Sequence, residues 1–499
     1  MSRRPSRPRG VGDTLAGVGL SIVVAFGALS AGAAYWGVLR AGELASALDD
    51  AAVVAAARSV PRGRILDRDG RPLAWNEPDA NGEPYRVYAS PSISGVVGYA
   101  SRLWGTAGLE RAYDARIAGV VPADPLRDLL RKFDAEPSDP HEVATTLSLP
   151  LQEAAVRLLG DDRGAVVMLD PRTGEVLVLA STPVFDASAV ADPTTSRDAF
   201  ERLQADADQP LLPRATLGRY VPGSVFKVFT ALAALDAGAV RGATTFAEQP
   251  AAEQDGLLVA GFRVRDGHHA ATGSKALDFD EAVEASCNIW FALAGLETGG
   301  ARFAGTAAEL GFGAPLPFDL PTAASQVTGG GGGFGGGFED AVELANAAYG
   351  QAETFVTPLQ MALVTAAVAN DGVVMRPRLV TSLSGRAGTT AIPAETWRRV
   401  ASGAVAAEVG AAMVRAVEGE LGRRFTAGAQ VEGVHVAGKS GTAELGGDAA
   451  PHSWFVGFAP AGDPSIVIVV VVEQGGRGAE RAAPIAGELL RLFLAGAGG

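Results

Sequence analysis

Hydrophobic and polar positions divide most of the chain into short strands near its two ends and helices between them. Residues 164–180 read as strand, Pro-Arg-Thr-Gly turn and strand, and residues 454–473 repeat this order around a Pro-Ala-Gly-Asp-Pro turn. Helical patterns fill four further stretches, Ser224–Leu235, Asp278–Leu296, Pro358–Asn370 and Ala482–Leu494. Strands at both ends with helices between them predict an α+β fold in which the first and last strands meet in space.

The N-terminal apolar stretch has the length of a membrane-spanning helix. It runs from Leu15 to Leu39 almost without charge, and Tyr35 and Trp36 stand where aromatic rings settle at a membrane surface. Four arginines precede it: Arg3, Arg4, Arg7 and Arg9. We therefore expect a cytoplasmic tail at 1–14, a single transmembrane helix at 15–39 and an extracytoplasmic remainder. A cleaved signal peptide, cut near Ala31-Gly32-Ala33, is the alternative.

The exported part divides into two regions of different character. Residues 40–148 begin with an Ala-rich, helix-prone stretch and continue with Arg62–Ala74, which predicts two short strands around an Asp-Gly turn. This region is rich in turn residues, so we predict a small stalk or pedestal module. A large globular unit is expected over 149–499. The glycine-rich tract 329–337 lacks the Gly-Lys-Ser/Thr of a phosphate loop and is interpreted as a surface loop.

Composition excludes several functional classes. The chain has 499 residues and a formal net charge of −14, and it shows no basic stripe, which argues against a nucleic-acid binder. Its single cysteine, Cys287, excludes an intrachain disulfide and is expected to be a small buried hydrophobe. The five histidines have no metal-binding spacing, so we expect no metal and no cofactor.

Lysine is scarce, and two lysines stand in settings that suggest chemistry. Only four of the 42 basic residues are lysines, and Lys227 follows Ser224 by three residues, after Pro222 and Gly223. Unlike arginine, a desolvated lysine can give up its proton and serve as a base. A three-residue spacing puts the Ser224 hydroxyl and the Lys227 amine on one helical face, where they can share a proton.

Two later motifs turn the Ser224–Lys227 pair from a weak functional signal into a specific one. Ser286-Cys287-Asn288 comes next, in a helix-like stretch. Lys439-Ser440-Gly441-Thr442 follows a strand pattern over Val431–Ala437, and Gly441 would allow close approach of a substrate. Each motif alone is weak, but S-x-x-K, S-x-N and K-S-G in this order are the signature of penicillin-recognising serine acyltransferases.

The chain as a whole resembles the class B penicillin-binding proteins, which are monofunctional peptidoglycan D,D-transpeptidases, and most of all their short actinobacterial-type members. The similarity extends beyond the three motifs to the segments 62–70, 97–99, 108–110, 350–351, 357–362 and 454–458. It implies a penicillin-binding/β-lactamase-like domain, with an antiparallel sheet flanked by helices, after the N-terminal module. The chain departs from the family by carrying Lys-Ser-Gly rather than Lys-Thr-Gly, Ala352 after Gly-Gln, and the glycine-rich tract.

The resemblance also implies a role for each motif residue. Ser224 would attack the carbonyl of the penultimate D-Ala of a stem peptide and form an acyl-enzyme, with Lys227 as the base and Ser286 as a proton relay. Asn288 would hold the substrate amide, and Lys439, Ser440 and Thr442 would bind its terminal carboxylate beside Gly441. The N–H groups of Ser224 and Thr442 would form the oxyanion hole.

Partners and location follow from the same resemblance. The substrates would be stem peptides ending in D-Ala-D-Ala, and β-lactams would be covalent inhibitors. The protein would stand in the bacterial cell membrane and take part in cell-wall organisation, cell shape or cell division. A membrane glycosyltransferase of the shape, elongation, division and sporulation (SEDS) family would be its partner.

Two other functional classes stay open at this point. A β-lactamase or β-lactam sensor would share the first motif, but Asn288 stands where class D enzymes and sensors usually carry valine. A non-catalytic cell-wall scaffold would have no reason to keep the scarce lysines of the first and third motifs.

Overall fold

The computed structural model describes residues 61–119, 139–266 and 275–497, together with Phe26. The predicted cytoplasmic tail at 1–14, the predicted membrane helix at 15–39 apart from Phe26, and the Ala-rich start of the predicted stalk lie outside the described residues. Within the described ranges, no helix combines the length and apolar character that crossing a bilayer requires.

Seventeen strands lie in the described ranges. In chain order they are β1 Ile65–Leu66, β2 Pro72–Pro78, β3 Pro84–Tyr88, β4 Ala100–Ser101, β5 Gly105–Thr106, β6 Glu142–Thr145, β7 Gly164–Leu169, β8 Val176–Thr182, β9 Leu257–Val259, β10 Phe262–Val264, β11 Val373–Met375, β12 Val380–Gly385, β13 Gly388–Ala391, β14 Thr396–Arg399, β15 Ala437–Ala443, β16 His452–Ala459 and β17 Ile466–Val472.

Helices fill the sequence between these strands. The α-helices of the described ranges are Ser94–Val97, Gly108–Ala112, Asp114–Ile117, Leu149–Leu159, Ala187–Ala191, Ser196–Ala205, Arg214–Leu217, Lys227–Asp236, Gln249–Asp255, Phe279–Ala285, Asn288–Thr298, Gly300–Glu309, Ala341–Ala347, Pro358–Ala369, Gly403–Glu418, Arg423–Thr426 and Ala482–Ala497. Short 3₁₀ turns lie at Pro91–Ile93, Gly223–Phe226 and Ala427–Ala429.

The central sheet has five antiparallel strands in the order β15-β16-β17-β7-β8. The last strand of the sequence, β17, therefore pairs with β7, the first strand of the predicted globular unit, which confirms the predicted meeting of the two ends. The predicted hairpins also form, as β7–β8 and β16–β17. Strand β15 is an edge strand of this antiparallel sheet. Its unpaired side therefore faces the helices packed beside it.

Strand β17 explains why helices cover both faces of this sheet. Its seven residues are all apolar and buried, so its side chains point alternately into two separate cores. Val467, Val469 and Val471 belong to the core that includes the helices Lys227–Asp236 and Pro358–Ala369. The intervening residues join the core beneath the C-terminal helix Ala482–Ala497. The sheet is thus the middle layer between two helical layers.

A second, six-stranded sheet has the order β13-β12-β6-β1-β2-β3. The predicted strand pair around Asp67–Gly70 is found as β1 and β2, and β1 runs parallel to β6. Strands β12 and β13 complete this sheet from a later part of the chain, beyond the predicted boundary at residue 148. The sequence pattern did not indicate this return, because β13 is fully exposed and carries no apolar periodicity.

A buried ion cluster stabilises the N-terminal side of the six-stranded sheet. The carboxylate of Glu110, which is fully buried, binds Arg86 at 2.5 Å and Arg62 at 2.9 Å. Removal of one partner from such a cluster leaves buried charge uncompensated. We expect Glu110→Ala to lower the free energy of unfolding by about 3–5 kcal/mol, measured by chemical denaturation.

The exposed pair Arg64–Glu142 provides a matched control, because it joins the same region at 2.6 Å on the surface. Glu142→Ala should cost about 1 kcal/mol or less. Equal effects of the two substitutions would show that burial of the Glu110 cluster has no energetic importance.

Candidate active site

The first motif lies where a 3₁₀ turn, Gly223–Phe226, leads directly into the helix Lys227–Asp236. Gly223 has φ +57°, and a Cβ atom there would stand 2.9 Å from the carbonyl oxygen of Thr442, so glycine permits both the turn and its close approach to β15. Ser224 is half-buried, whereas Lys227 is buried. The two polar atoms, Lys227 Nζ and Ser224 Oγ, lie 3.1 Å apart, in keeping with the predicted proton-sharing distance.

The second motif forms a break between two helices. We predicted one helix over Asp278–Leu296, and this prediction is wrong, because the helix Phe279–Ala285 ends and the helix Asn288–Thr298 begins at the motif. Ser286 lies between them in the left-handed region, with φ 60° and ψ 37°. Such a conformation is uncommon for a residue other than glycine and turns the chain sharply. The apolar periodicity continues through both helices, so it did not reveal the break.

This break brings Ser286 and Asn288 onto the amine of Lys227. Lys227 Nζ donates to the Ser286 carbonyl at 2.5 Å and to Asn288 Oδ1 at 2.6 Å, and lies 3.3 Å from Ser286 Oγ. Asn288 is itself oriented, because its amide nitrogen donates to the carbonyl of Arg265 at 3.2 Å. The amine is therefore held in one place, facing Ser224.

The third motif brings a second buried lysine to the same hydroxyl. Lys439 Nζ lies 2.9 Å from Ser286 Oγ and 3.1 Å from the Ser440 carbonyl. The Ser286 hydroxyl thus stands between the two amines of Lys227 and Lys439. Four side chains from three separate parts of the sequence, Ser224, Lys227, Ser286 and Lys439, thus form a continuous hydrogen-bonded path.

Burial sets the ionisation of both lysines. It lowers the pKa of Lys227 to about 8, with Asp266 acting in the opposite direction. Burial also lowers the pKa of Lys439 well below its ordinary value, and the neighbouring Lys227 cation lowers it further. The neutral amine of Lys227, which can accept a proton, is therefore a minor form at pH 7 and becomes the major form above about pH 8.

Strand β15 forms one wall of the site. It begins at Ala437, where we expected a strand over Val431–Ala437 to end, so Lys439 to Thr442 lie within the strand and not after it. Gly441 allows the strand to approach the 3₁₀ turn, since a Cβ atom there would stand 3.1 Å from the backbone nitrogen of Val225. Ser440 is buried, and Thr442 is half-buried with its hydroxyl accepting from Gly478 N at 3.4 Å.

Several residues that support the site were not predicted as site residues. Gly350, with φ +83°, accepts the backbone N–H of Gly223 at 2.9 Å, and a Cβ atom there would stand 2.1 Å from the Gly223 carbonyl. The ring of Phe291 lies 5.7 Å from Lys227 Nζ. The only sequence signal was the family resemblance at Gly350-Gln351, which assigned that segment no role.

One group of side chains in the described ranges has the donor atoms that a metal ion could use. Glu253, Asp266 and Cys287 bring one ligand atom each within 4.8 Å of one another. The Cys287 thiol is buried as predicted, but it also accepts from Trp290 N at the start of its helix and lies 3.5 Å from Glu253 Oε1. Burial raises the pKa of this thiol well above its ordinary value. The search for metal-binding spacings in the sequence did not reveal this group, since its three members are separated in sequence and include no histidine.

Comparison with known proteins gives consistent matches over most of the chain. The family described as the penicillin binding protein transpeptidase domain matches residues 164–491. Peptidoglycan D,D-transpeptidase PbpA of Mycolicibacterium smegmatis is 35% identical over 444 residues, which cover 85% of this chain and 87% of the relative. The crystal structure of PBPA from Mycobacterium tuberculosis aligns with TM-score 0.75 at 31% identity, covering 87% of this chain and all of that one. The penicillin G acyl-enzyme complex of penicillin-binding protein A from M. tuberculosis aligns with TM-score 0.74 at 30% identity, covering 88% and 100% of the respective chains.

Proposed function

The chain belongs to the penicillin-binding protein transpeptidase family and is a peptidoglycan D,D-transpeptidase, and we propose that it works through an acyl-enzyme formed on Ser224. The observation that carries this assignment is the 3.1 Å separation of Ser224 Oγ from the buried amine of Lys227, whose pKa is lowered to about 8. A buried amine of this kind can activate a serine that is otherwise a weak nucleophile.

In the proposed first step, neutral Lys227 takes the proton of Ser224 as its oxygen attacks the carbonyl of the penultimate D-Ala. The tetrahedral intermediate places its negative charge on the former carbonyl oxygen, where the N–H groups of Ser224 and Thr442 would stabilise it, each by roughly 3–4 kcal/mol. The bond to the terminal D-Ala nitrogen then breaks, and an ester to Ser224 remains.

Ser286 is placed to pass a proton to the leaving group. Its hydroxyl lies 3.3 Å from Lys227 Nζ and 2.9 Å from Lys439 Nζ. The proton taken from Ser224 would move from Lys227 through Ser286 to the departing nitrogen, which leaves as the neutral amine of D-Ala. The amine of a second stem peptide then attacks the ester, returns a proton along the same path, and forms the cross-link.

Substrate recognition is assigned to the two sides of the cleft. Asn288, at the start of its helix, would hold the substrate amide, while its oxygen fixes Lys227. Lys439, with Ser440 and Thr442 on β15, would bind the terminal carboxylate, and Gly441 leaves room for the peptide to lie against the strand. A penicillin, which presents the amide carbonyl of its β-lactam ring and a carboxylate on the fused ring, would enter the same way and acylate Ser224.

The proposed setting is the outer face of the bacterial cell membrane. The arginines before the apolar stretch 15–39 support an uncleaved anchor with a cytoplasmic tail at 1–14, a module at 40–148 and a transpeptidase domain at 149–499. Full-length protein should stay with the membrane pellet after alkaline extraction. Release at the mass of a shortened chain would instead support the signal-peptide alternative.

A SEDS-family glycosyltransferase is the proposed membrane partner, on the strength of the family resemblance. Such an enzyme would supply the glycan strands whose stem peptides this protein cross-links. Detergent-solubilised full-length protein should co-purify with the glycosyltransferase, whereas a chain lacking residues 1–60 should retain it poorly. Equal retention by both chains would contradict a contact through the anchor.

Intact mass spectrometry of the purified full-length protein with benzylpenicillin tests the catalytic assignment. We expect a mass gain of one intact penicillin that persists for hours, with the added mass on the peptide that contains Ser224. A transient adduct accompanied by hydrolysed drug would identify a β-lactamase. Absence of any adduct would favour a scaffold.

A further inference from the structure

The segment that carries Ser224 to its position has almost no regular secondary structure of its own. Between the helix Arg214–Leu217 and the 3₁₀ turn at Gly223, the backbone makes one isolated bridge, in which Tyr220 and Val356 exchange both hydrogen bonds at 2.9 Å. A segment without a ladder is held in place by the few contacts that it makes. The position of Ser224 therefore depends on what holds Tyr220 and its neighbours.

Tyr220 is held by a buried hydrogen bond to a charged group. Its side chain is buried, and its hydroxyl donates to Glu473 Oε1 at 2.8 Å. The carboxylate is itself fixed by Arg214 at 2.8 Å and by Arg163 at 3.1 Å. Burial raises the pKa of the Tyr220 hydroxyl, so it stays protonated and remains a donor. Hydrogen bonds to a charged acceptor are stronger than neutral ones.

Val221, the next residue, is held by strand β16. The indole nitrogen of Trp454 donates to the carbonyl of Val221 at 3.1 Å. The Tyr220 ring also packs edge-on against His452 and Trp454, with ring centroids 5.4 and 6.0 Å away. Both residues of the segment are thus attached to strand β16 or to the end of β17.

These attachments come from β16 and from the end of β17, in the same sheet as the third motif on β15. In the sheet register, Trp454 is opposite Gly441, and Ser453 is opposite both Thr442 and Val472, the residue that precedes Glu473. The sheet that carries Lys439 to Thr442 on β15 therefore also holds, through β16 and the end of β17, the segment that presents Ser224. A displacement of Tyr220 would change the distance between the nucleophile and the groups across the cleft.

We infer that Tyr220, held by Glu473, is a positioning residue that keeps Ser224 at its working distance from strand β15, an inference that rests on the proposed role of Ser224 as the nucleophile. The hydrogen bonds and ring contacts of Tyr220 go to Glu473, Val356, His452 and Trp454 and not to the reacting groups, so Tyr220 acts through Val221 to Gly223. Tyr220 lies outside the three motifs. Its effect should fall on the rate of acylation and not on the binding of the substrate that precedes it.

Tyr220→Phe is the sharpest test, because it removes the hydroxyl and keeps the ring contacts. In stopped-flow acylation of the full-length protein by a penicillin, we expect the first-order acylation rate constant to fall roughly ten- to hundred-fold while the initial dissociation constant stays unchanged. Tyr113→Phe is the matched control, since Tyr113 also donates to a carboxylate, that of Asp319, but away from Ser224. The Tyr113→Phe variant should be acylated at the native rate.

Two further variants separate positioning from general stability. A Cβ atom at Gly218 would stand 2.5 Å from the Tyr220 hydroxyl oxygen, 2.6 Å from its ring and 2.7 Å from the Arg214 carbonyl oxygen. Gly218→Ala should therefore displace the Tyr220 side chain and slow acylation as Tyr220→Phe does. Glu473→Gln keeps an oxygen that can accept from Tyr220 but removes the charge that strengthens this hydrogen bond and pairs with Arg214 and Arg163. It should slow acylation less in the Tyr220→Phe background than in the native one, because the effect that passes through the Tyr220 hydroxyl is already lost there. Melting temperatures are measured for every variant.

The outcomes distinguish this inference from the proposed function. If the native protein and Tyr113→Phe are not acylated, the proposed nucleophile itself is wrong. If the native protein is acylated and Tyr220→Phe reacts at the same rate, or loses rate only in proportion to a fall in its melting temperature that Tyr113→Phe shares, the positioning role is overturned.

Discussion

Replacement of Ser224 by alanine is expected to abolish covalent labelling of the protein by a fluorescent penicillin. The alanine methyl group offers no oxygen for the ester, and the other groups of the site, two amines and an amide, are engaged with one another and with Ser286. The loss should be complete and not partial, since the covalent bond itself is missing. Gel fluorescence after a fixed incubation, with intact mass as the second readout, measures it.

A matched substitution makes this result interpretable. Ser384→Ala removes a hydroxyl that bonds Thr389 on the exposed side of the six-stranded sheet, and it should label like the native protein. Both variants should melt at nearly the native temperature, because Ser224 is only half-buried and the hydrogen bond of Ser384 is exposed. Persistent labelling of Ser224→Ala would show that another side chain is the nucleophile, and peptide mapping would then identify it.

The sequence predicted which side chains meet at the site better than it predicted the backbone that brings them together. The spacing of Ser224 and Lys227, the scarcity of lysine and the order of the three motifs were sufficient to select the five side chains that the structure brings together: Ser224, Lys227, Ser286, Asn288 and Lys439. Spacing within one helix turn determines a distance almost by itself. Residues that meet across the fold were recognised only because the motif order resembled a known family.

The break at Ser286 was missed for a physical reason. Hydrophobic periodicity records which side chains are buried, and the helices on both sides of the break bury nearly all of theirs, so the pattern continues across it. Ser286 takes the left-handed conformation directly before the second helix, whose start is capped by the buried thiol of Cys287. Local propensity favours glycine or asparagine at such a position, so no sequence rule predicts serine there.

The supporting residues behind the site were missed because their contacts are long-range. Glu473 meets Tyr220 across more than 250 residues of sequence, and neither residue type is unusual at a strand end or in a loop. Strands β12 and β13 return to the six-stranded sheet in the same way. Pairings of this kind depend on the arrangement of the whole fold, which periodicity and turn signals do not encode.

The second large effect concerns the base. Lys227→Met keeps a side chain of similar length in the buried position but removes the amine that faces Ser224, Ser286 and Asn288. We expect the second-order rate constant of acylation to fall roughly 10²–10⁴-fold, the range that a positioned general base contributes. Lys275→Met is the control, since Lys275 is exposed and pairs with Glu281 on the surface, and it should react at the native rate.

The pH dependence of the native enzyme tests the same group without a substitution. Burial lowers the pKa of Lys227 to about 8, and only the neutral amine accepts the proton of Ser224. The second-order rate constant should therefore rise with pH and level off above a midpoint near 8, because that constant reports the ionisation of the free enzyme. In Lys227→Met this rising limb should disappear along with most of the rate. A native rate that does not vary between pH 6 and 9 would mean that proton removal from Ser224 does not depend on the ionisation of Lys227. The base would then have to be sought at Lys439, which hydrogen bonds connect to Ser224 through the hydroxyl of Ser286 and the amine of Lys227.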